Sequence, residues 1–188
     1  MANRTTTLGM LLLTVVARPL SAGAGQERPA VVVHVADYQG VEARELEEAQ
    51  RFASDAYARE GVHVEWTDGS ARLAEPDGLL HVDVLILNAQ MTGQQGAEPG
   101  AFGLASHVTR RAYVYYPRIL RHATMTHSYP ARALAMVMAH ELGHVLLPEY
   151  SHTTSGLMRA TVSGQIRSIP ALLPSQASTI RSMVAQWR

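Results

Sequence analysis

The chain has 188 residues, of which 47% are hydrophobic and 17% are charged, and it contains no cysteine. This length and composition predict one globular domain, and the missing cysteine excludes disulfides, thiolate metal sites and a cysteine nucleophile. The 16 basic and 16 acidic residues cancel, so charge gives no reason to expect a nucleic-acid or anionic membrane partner.

The first 24 residues have the pattern of a secretory signal peptide. Arg4 lies near the start, an apolar run covers residues 8–16, and the small residues at 22–24 fit a cleavage site. The run is about half of the ~20 residues that a membrane span needs. We therefore expect residues 1–24 to be removed, leaving a single secreted or periplasmic domain, 25–188, with a net charge of 14 − 16 = −2.

After this segment, the chain begins with alternating strand and helix patterns. A continuous β-branched run at 30–38 predicts a buried strand. Residues 41–61 carry apolar side chains at helical spacing and end at a glycine, which predicts an amphipathic helix. Residues 62–68 alternate and residues 81–89 are nearly all apolar, so both predict strands. This order is typical of the start of an α/β sheet.

The middle of the chain is more broken. Residues 90–103 contain four glycines and one proline, which predicts a mobile loop. A short strand, a turn near Thr109 and Arg110, and a longer strand at 112–116 are predicted to follow.

Two helices are predicted in the last third of the chain. Apolar side chains recur at helical intervals through 131–147, and Pro148 ends this long buried helix. The final helix is predicted at 175–188, with Ser175 as its N-cap.

The long helix carries the pattern HELGH at His140, Glu141 and His144. Residues four apart lie on one helix face, so the two histidines can bind one zinc ion at about 2.0–2.1 Å per nitrogen. Zinc lowers the pKa of a bound water towards ~7, and a neighbouring carboxylate such as Glu141 can accept its proton. The alternative, an ionised glutamate buried for packing alone, costs several kcal/mol. The pattern therefore favours metal-assisted amide hydrolysis.

A third metal ligand has to come from the residues that follow the helix. His152 offers a neutral nitrogen in a polar loop. Glu149 could bind through oxygen but directly follows Pro148, and Tyr150 is a poor ligand because its unperturbed pKa is about 10. The chain contains no Asp or Glu after Glu149, and this absence favours His152 over the other two candidates.

On these residues the sequence resembles the zincin metallopeptidases and, more narrowly, the metzincins, whose pattern is HExxHxxGxxH followed by a methionine-containing turn below the zinc. The resemblance implies His140 and His144 as ligands of one zinc ion, Glu141 as general base, and Met158 in the SGLM sequence as the methionine of that turn. It also implies an α+β fold, with a small twisted mixed sheet, a backing helix, an active-site helix and a C-terminal helix.

The chain departs from the metzincin pattern after the second histidine. The glycine and the third histidine of the pattern would fall at Leu147 and Tyr150, but the nearest histidine is His152, two residues later. Pro148 offers a different way to end the helix, so a longer loop could return a side chain to the metal.

The resemblance further implies that an extended peptide or protein substrate pairs with a sheet edge near FGLASHV. Gly103, Leu104 and Ala105 are then the expected backbone contacts. We expect an exported zinc peptidase that uses a zinc-bound water activated by Glu141. The alternative is a catalytically weak zincin-like domain that binds a metal or a partner. The oligomeric state does not follow from the sequence.

Six further histidines have no spacing that links them to the helix, and structural roles are the simplest expectation for those in or beside strands. They are His34, His63, His81, His107, His122 and His127.

Overall fold

The computed structural model describes residues 30–69, 78–149 and 151–187. The predicted signal peptide, residues 1–24, and the alternative ligand Tyr150 lie outside these ranges. Within them, no helix combines the length and the apolar character that crossing a membrane requires.

The described part of the chain contains five strands and five α-helices. In chain order they are β1 (Ala30–Asp37), α1 (Ala43–Ala58), β2 (His63–Asp68), β3 (Leu80–Leu87), α2 (Ala89–Gln94), β4 (Gly103–Ser106), β5 (Arg111–Tyr115), α3 (Tyr116–Thr126), α4 (Pro130–Leu146) and α5 (Pro174–Gln186).

The strands form one sheet in the order β2-β1-β3-β5-β4. The first four are parallel, and β4 pairs antiparallel with β5 at one edge. The valines of β1 lie inside the sheet and are buried on both faces, which explains why this strand is a continuous apolar run. The mixed sheet and its helices confirm the predicted α+β fold.

Helices α1 and α4 pack on one face of the sheet, and α4 is the more buried of the two. Thirteen of its 17 residues are buried. The small side chains of Ala49, Ala53 and Ala56 on α1 share this core. The hydroxyl of Tyr57, also on α1, donates a hydrogen bond of 2.8 Å to the carbonyl of Ala139 on α4. The helix with the HELGH sequence is therefore fixed from its buried side.

The prediction of a loop at 90–103 is partly wrong, because α2 occupies the first part of this segment. The Asn88 side chain caps this helix by accepting a hydrogen bond of 3.0 Å from the Met91 amide. The glycines of the segment therefore do not prevent a single short helix.

The other differences concern two helices, α3 and α5, that begin with a proline in the first turn. The sequence did not indicate α3, which begins directly after β5 with Pro117 in its first turn. Helix α5 begins at Pro174 with Leu173 as its N-cap, so the prediction of Ser175 as the cap is wrong. In both places a proline with a preset φ starts the helix.

Candidate metal centre

Three histidines converge at the end of α4. His140 and His144 lie one turn apart on the helix, and His152 lies on the segment that follows it. The Nε2 atom of His144 is 3.1 Å from that of His140 and 2.9 Å from that of His152. The ligand atoms of all three lie within 4.8 Å of one another.

The proline after α4 makes this convergence possible. The helix ends at Leu146, and Leu147 is extended, with φ −113° and ψ 158°. A residue before proline is restricted to such extended conformations. The chain therefore leaves the helix axis sharply and brings His152 back to the two helical histidines, without the glycine of the metzincin pattern.

Contacts on the far side of each ring orient two of the histidines. His140 Nδ1 donates a hydrogen bond of 2.8 Å to the Leu157 carbonyl. A carbonyl can only accept, so Nδ1 carries the ring hydrogen and the lone pair of Nε2 faces the cluster. His144 Nδ1 lies 3.0 Å from Ser151 Oγ. Metal-binding histidines are commonly oriented by such outer contacts.

Both helical histidines are neutral at pH ~7. Burial lowers the pKa of His140. Burial, with the neighbouring His140 and His152, lowers the pKa of His144 to about 4. Neutral imidazole is the form that binds a metal ion.

The donor set fits a zinc ion. Bonds of 2.0–2.1 Å in a tetrahedral site would place neighbouring nitrogens about 3.3 Å apart, close to the 3.1 and 2.9 Å between the Nε2 atoms here. A hydrogen on His144 Nε2 can point to only one of its two neighbours, whereas a cation between the three rings accepts a lone pair from each. Three neutral nitrogens also leave a fourth position open, as catalytic zinc sites require.

Of the candidates for the third ligand, only His152 belongs to this group in the described part of the chain. Glu149 lines the adjoining cleft but is not among the residues whose ligand atoms converge. Tyr150 lies outside the described residues. The structure thus places His152 in the position expected of a third ligand, and its role as a ligand stays a prediction.

Glu141 is buried beside this centre and is 6% exposed. Among the residues that the structure describes, no donor or cation contacts its carboxyl group, and burial raises its pKa to about 8. An unpaired buried carboxyl group destabilises the fold, and a base with a pKa near neutral is suited to proton transfer. Packing gives no reason for this residue, whereas a chemical role does.

Gly103 on the edge strand lies directly against Glu141. A methyl group added to Gly103 would lie 2.6 Å from the carboxyl carbon of Glu141. Real side chains do not approach so closely, so only glycine fits here while Glu141 keeps its position. The edge strand and the proposed base are therefore neighbours.

A cleft of about 700 Å³ contains these groups. Residues 100–108, which include β4, and residues 159–162 both line it, and we call them its upper wall and its lower wall. His140, Glu141 and His144 lie between the walls.

The hydrogen-bonding pattern of β4 shows that the three predicted substrate contacts differ in where their backbone groups point. The Tyr115 amide donates to the Phe102 carbonyl at 2.8 Å, and Leu104 is opposite Tyr113 in the same register. Because hydrogen-bonded and non-hydrogen-bonded pairs alternate, Leu104 bonds to β5, whereas the amides and carbonyls of Gly103 and Ala105 point to the free edge. Leu104 instead presents a side chain that is 51% exposed. Their contact with a substrate stays a prediction.

Met158 lies under the helix, in the turn that the resemblance singled out. Its side chain is fully buried, and its carbonyl accepts a hydrogen bond of 2.9 Å from the Thr153 amide. A methyl group added to Gly143 would overlap the Met158 sulfur. The methionine therefore packs against α4 between the positions of its two histidines.

The six remaining histidines lie outside the convergent group. His34 and His81 lie on neighbouring strands, and their rings are joined by a contact of 2.8 Å between His34 Nε2 and His81 Nδ1. His122 on α3 lies at one end of the cleft, where its ring contacts Phe102. Sequence analysis missed this location because α3 itself was not predicted.

No protein-family profile matches the chain, and no curated protein does. Several solved structures are similar to it, among them the following two. An archaemetzincin from Archaeoglobus fulgidus in complex with malonate is 15% identical, with a TM-score of 0.46, over 80% of this chain and 99% of that one. A zinc-dependent peptidase from Methanocorpusculum labreanum is 12% identical, with a TM-score of 0.47, over 82% of this chain and 99% of that one. At this level of similarity neither structure assigns a role to a residue of this chain.

Proposed function

We propose that the protein is a zinc-dependent peptidase that hydrolyses peptide bonds with Glu141 as general base. The observation that carries this proposal is the position of an unpaired buried carboxyl group beside three convergent imidazole nitrogens in an open cleft. Neither group has a packing role that would explain it, and together they supply a metal site and a base.

In this mechanism, His140, His144 and His152 would hold one zinc ion, and Ser151 and the Leu157 carbonyl would keep two of the rings in place. A zinc ion bound there supplies Lewis acidity, which polarises a carbonyl and lowers the pKa of water. The free edge of β4 supplies amides and carbonyls that align an extended peptide.

Glu141 transfers the proton. Its carboxylate accepts a proton from the attacking water while the water oxygen bonds to the peptide carbonyl carbon. It then gives that proton to the leaving nitrogen as the carbon–nitrogen bond breaks. Burial raises the pKa of Glu141 to about 8 in the metal-free chain, which favours uptake of the proton, and a zinc cation nearby would favour the carboxylate form that the first step needs.

Turnover of a broad peptide library by the purified zinc-loaded protein tests this proposal. We expect hydrolysis by the wild type, and a loss of about 10²–10⁴ in Glu141→Gln with zinc content unchanged. Glu149→Gln is the matched control, since Glu149 also lines the cleft but is outside the histidine group, and it should retain activity. Equal turnover by the wild type and Glu141→Gln would contradict the proposed peptidase activity. It would favour the alternative, a zincin-like domain that binds a metal or a partner.

We also propose that the protein is exported. The support is the pattern of residues 1–24 in the sequence, namely Arg4, the apolar run and the small residues at 22–24. N-terminal sequencing of the mature protein would find Gly25 as its first residue if the signal peptide is removed there.

A further inference from the structure

Helix α3 contacts the upper wall of the cleft and the segment that continues from the lower wall. Arg118 and His122 are four residues apart and so lie on the same face of this helix. Arg118 contacts the segment that enters the upper wall, and His122 contacts Phe102 of the upper wall and Gly164, which follows the lower wall. Neither residue belongs to the metal centre.

The Arg118 guanidinium binds three backbone carbonyls of the upper wall segment. Nη1 donates to the carbonyls of Glu98 at 2.7 Å and Ala101 at 2.8 Å, and Nη2 donates to that of Ala97 at 3.2 Å. The guanidinium also lies over the Tyr115 ring, 5.3 Å from its centroid. Hydrogen bonds from a charged donor are about twice as strong as neutral ones. The chain that leads into β4 is therefore held by one side chain.

His122 connects the upper wall to the segment that continues from the lower wall. Its ring meets Phe102 edge to face, with centroids 5.2 Å apart, and Phe102 lines the cleft next to Gly103. Its Nε2 donates to the carbonyl of Gly164 at 3.2 Å, on the segment that continues from the lower wall.

The end of α3 binds the same lower segment twice more. The Gln165 side chain donates to the His127 carbonyl at 2.7 Å, and the Ile166 amide donates to Ser128 Oγ at 2.8 Å. Ser128 is buried. The lower wall is therefore attached to the junction of α3 and α4, and the upper wall to the first half of α3.

We propose that Arg118 and His122 are positioning residues that set the separation of the two cleft walls at the α3 end, and with it the affinity for the part of a peptide that extends to that end. This inference rests on the proposed peptide substrate, but not on turnover. Arg118 acts through the backbone of residues 97–101, and His122 acts through Phe102 and Gly164.

Hydrogen exchange of the zinc-loaded protein tests the first half of the inference. Arg118→Met retains a long side chain without the donors, and we expect the Ala101 amide, which donates to the Glu98 carbonyl at 3.1 Å, to exchange about tenfold faster. Arg121→Met is the matched control, since Arg121 is an exposed residue of the same helix, and it should exchange as the wild type does. His122→Phe keeps the ring against Phe102 and removes only the Nε2 donor, so faster exchange should be confined to residues 163–166. If Arg118→Met and His122→Phe both show the amide exchange rates of the wild type in these segments, the inference is overturned.

Peptide binding tests the second half. In a Glu141→Gln background, labelled peptides extended from a bound core towards one end or the other are titrated. Arg118→Met should raise the Kd about tenfold for the one series that extends to α3, and leave the short core and the other series unchanged. Arg118→Lys, which keeps a charge but fewer donors, should recover part of the affinity. An equal rise in all series overturns the positioning role.

The outcomes separate this inference from the proposed function. Peptide binding that depends on Arg118, without hydrolysis by the wild type, supports the inference and contradicts only the catalytic proposal. Failure of the Glu141→Gln parent to bind any peptide overturns the inference. Hydrolysis with no effect of Arg118→Met on binding supports the peptidase and overturns the inference.

Discussion

Gly143 and Met158 are in contact so close that no side chain larger than hydrogen fits between them. A methyl group on Gly143 would overlap the Met158 sulfur and would also lie 3.4 Å from the Tyr57 hydroxyl. The glycine of HELGH is therefore required by packing on the buried side of α4. The turn that contains Met158, α1 and α4 meet at this point.

Gly143→Ala should destabilise the protein by about 1–3 kcal/mol, because the added methyl group overpacks the core. Gly93→Ala is the matched control: Gly93 is also helical, but a methyl group there would have no neighbour within 4 Å, so it should be neutral or stabilise by about 0.5–1 kcal/mol. Urea unfolding of both variants gives the comparison. Equal stability of the two variants would show that Met158 moves aside freely.

Gly103→Ala should reduce turnover while zinc content stays the same. The new methyl group would lie 2.6 Å from the Glu141 carboxyl carbon, so the base has to move, and a displacement of ~1 Å can cost about 10²-fold in rate. Steady-state kinetics and metal analysis of the same preparation measure both effects. Full activity would mean that Glu141 is not needed in its present position.

His152→Ala should lower zinc affinity by several orders of magnitude, because one of three protein ligands is lost. His107→Ala provides the control, since His107 lines the same cleft but is outside the convergent group. Competition with a zinc chelator gives the affinities. If His152→Ala holds zinc as tightly as His107→Ala does, another residue completes the site, and Glu149 and Tyr150 become the candidates.

The metal-free protein should lose stability relative to Glu141→Gln as pH rises. The ordinary carboxyl pKa is 4.5, and burial raises the pKa of Glu141 to about 8. Between these values the folded chain keeps a proton that the unfolded chain releases, so stability is fully present below pH 4.5 and falls as pH rises to about 8. At ~1.36 kcal/mol per pKa unit the loss is a few kcal/mol.

Thermal melts of the wild type and Glu141→Gln in chelator, across this pH window, give the difference in Tm between the two proteins. Titrations that both proteins share cancel in this difference. The gap in Tm should widen with pH and become constant above pH about 8. Glu149→Gln, which removes an exposed carboxylate, should show no widening. A constant gap between the wild type and Glu141→Gln would mean that the Glu141 carboxyl group is solvated in the folded state.

The local patterns were sufficient to predict most of the sheet and the metal-binding helix. A valine run such as that of β1 and the apolar spacing of α4 are properties of a few consecutive residues, and burial follows them directly. The histidine pair at 140 and 144 is equally local, since helix geometry alone brings the two rings together.

The parts that could not be predicted depend on distant contacts. The tyrosines at 115 and 116 favour a strand, and only the tertiary structure shows that α3 begins there. The backbone groups of Gly103 and Ala105, and not those of Leu104, point to the free edge of β4, and this depends on the register with β5. The closeness of Gly103 to Glu141 joins residues 38 positions apart, and no spacing rule relates them.

Two of the three convergent histidines have no proton to give up when a cation arrives. The ring hydrogen of His140 is on Nδ1 and is donated to the Leu157 carbonyl. Burial lowers the pKa of His144 to about 4. Zinc uptake at neutral pH should therefore release almost no protons from these two rings, and its calorimetric heat from them should not vary with the ionisation enthalpy of the buffer. A site made of cysteines has to expel a proton for each thiolate. At these two histidines, protons should therefore compete less with zinc in mildly acidic surroundings than they would at thiolates.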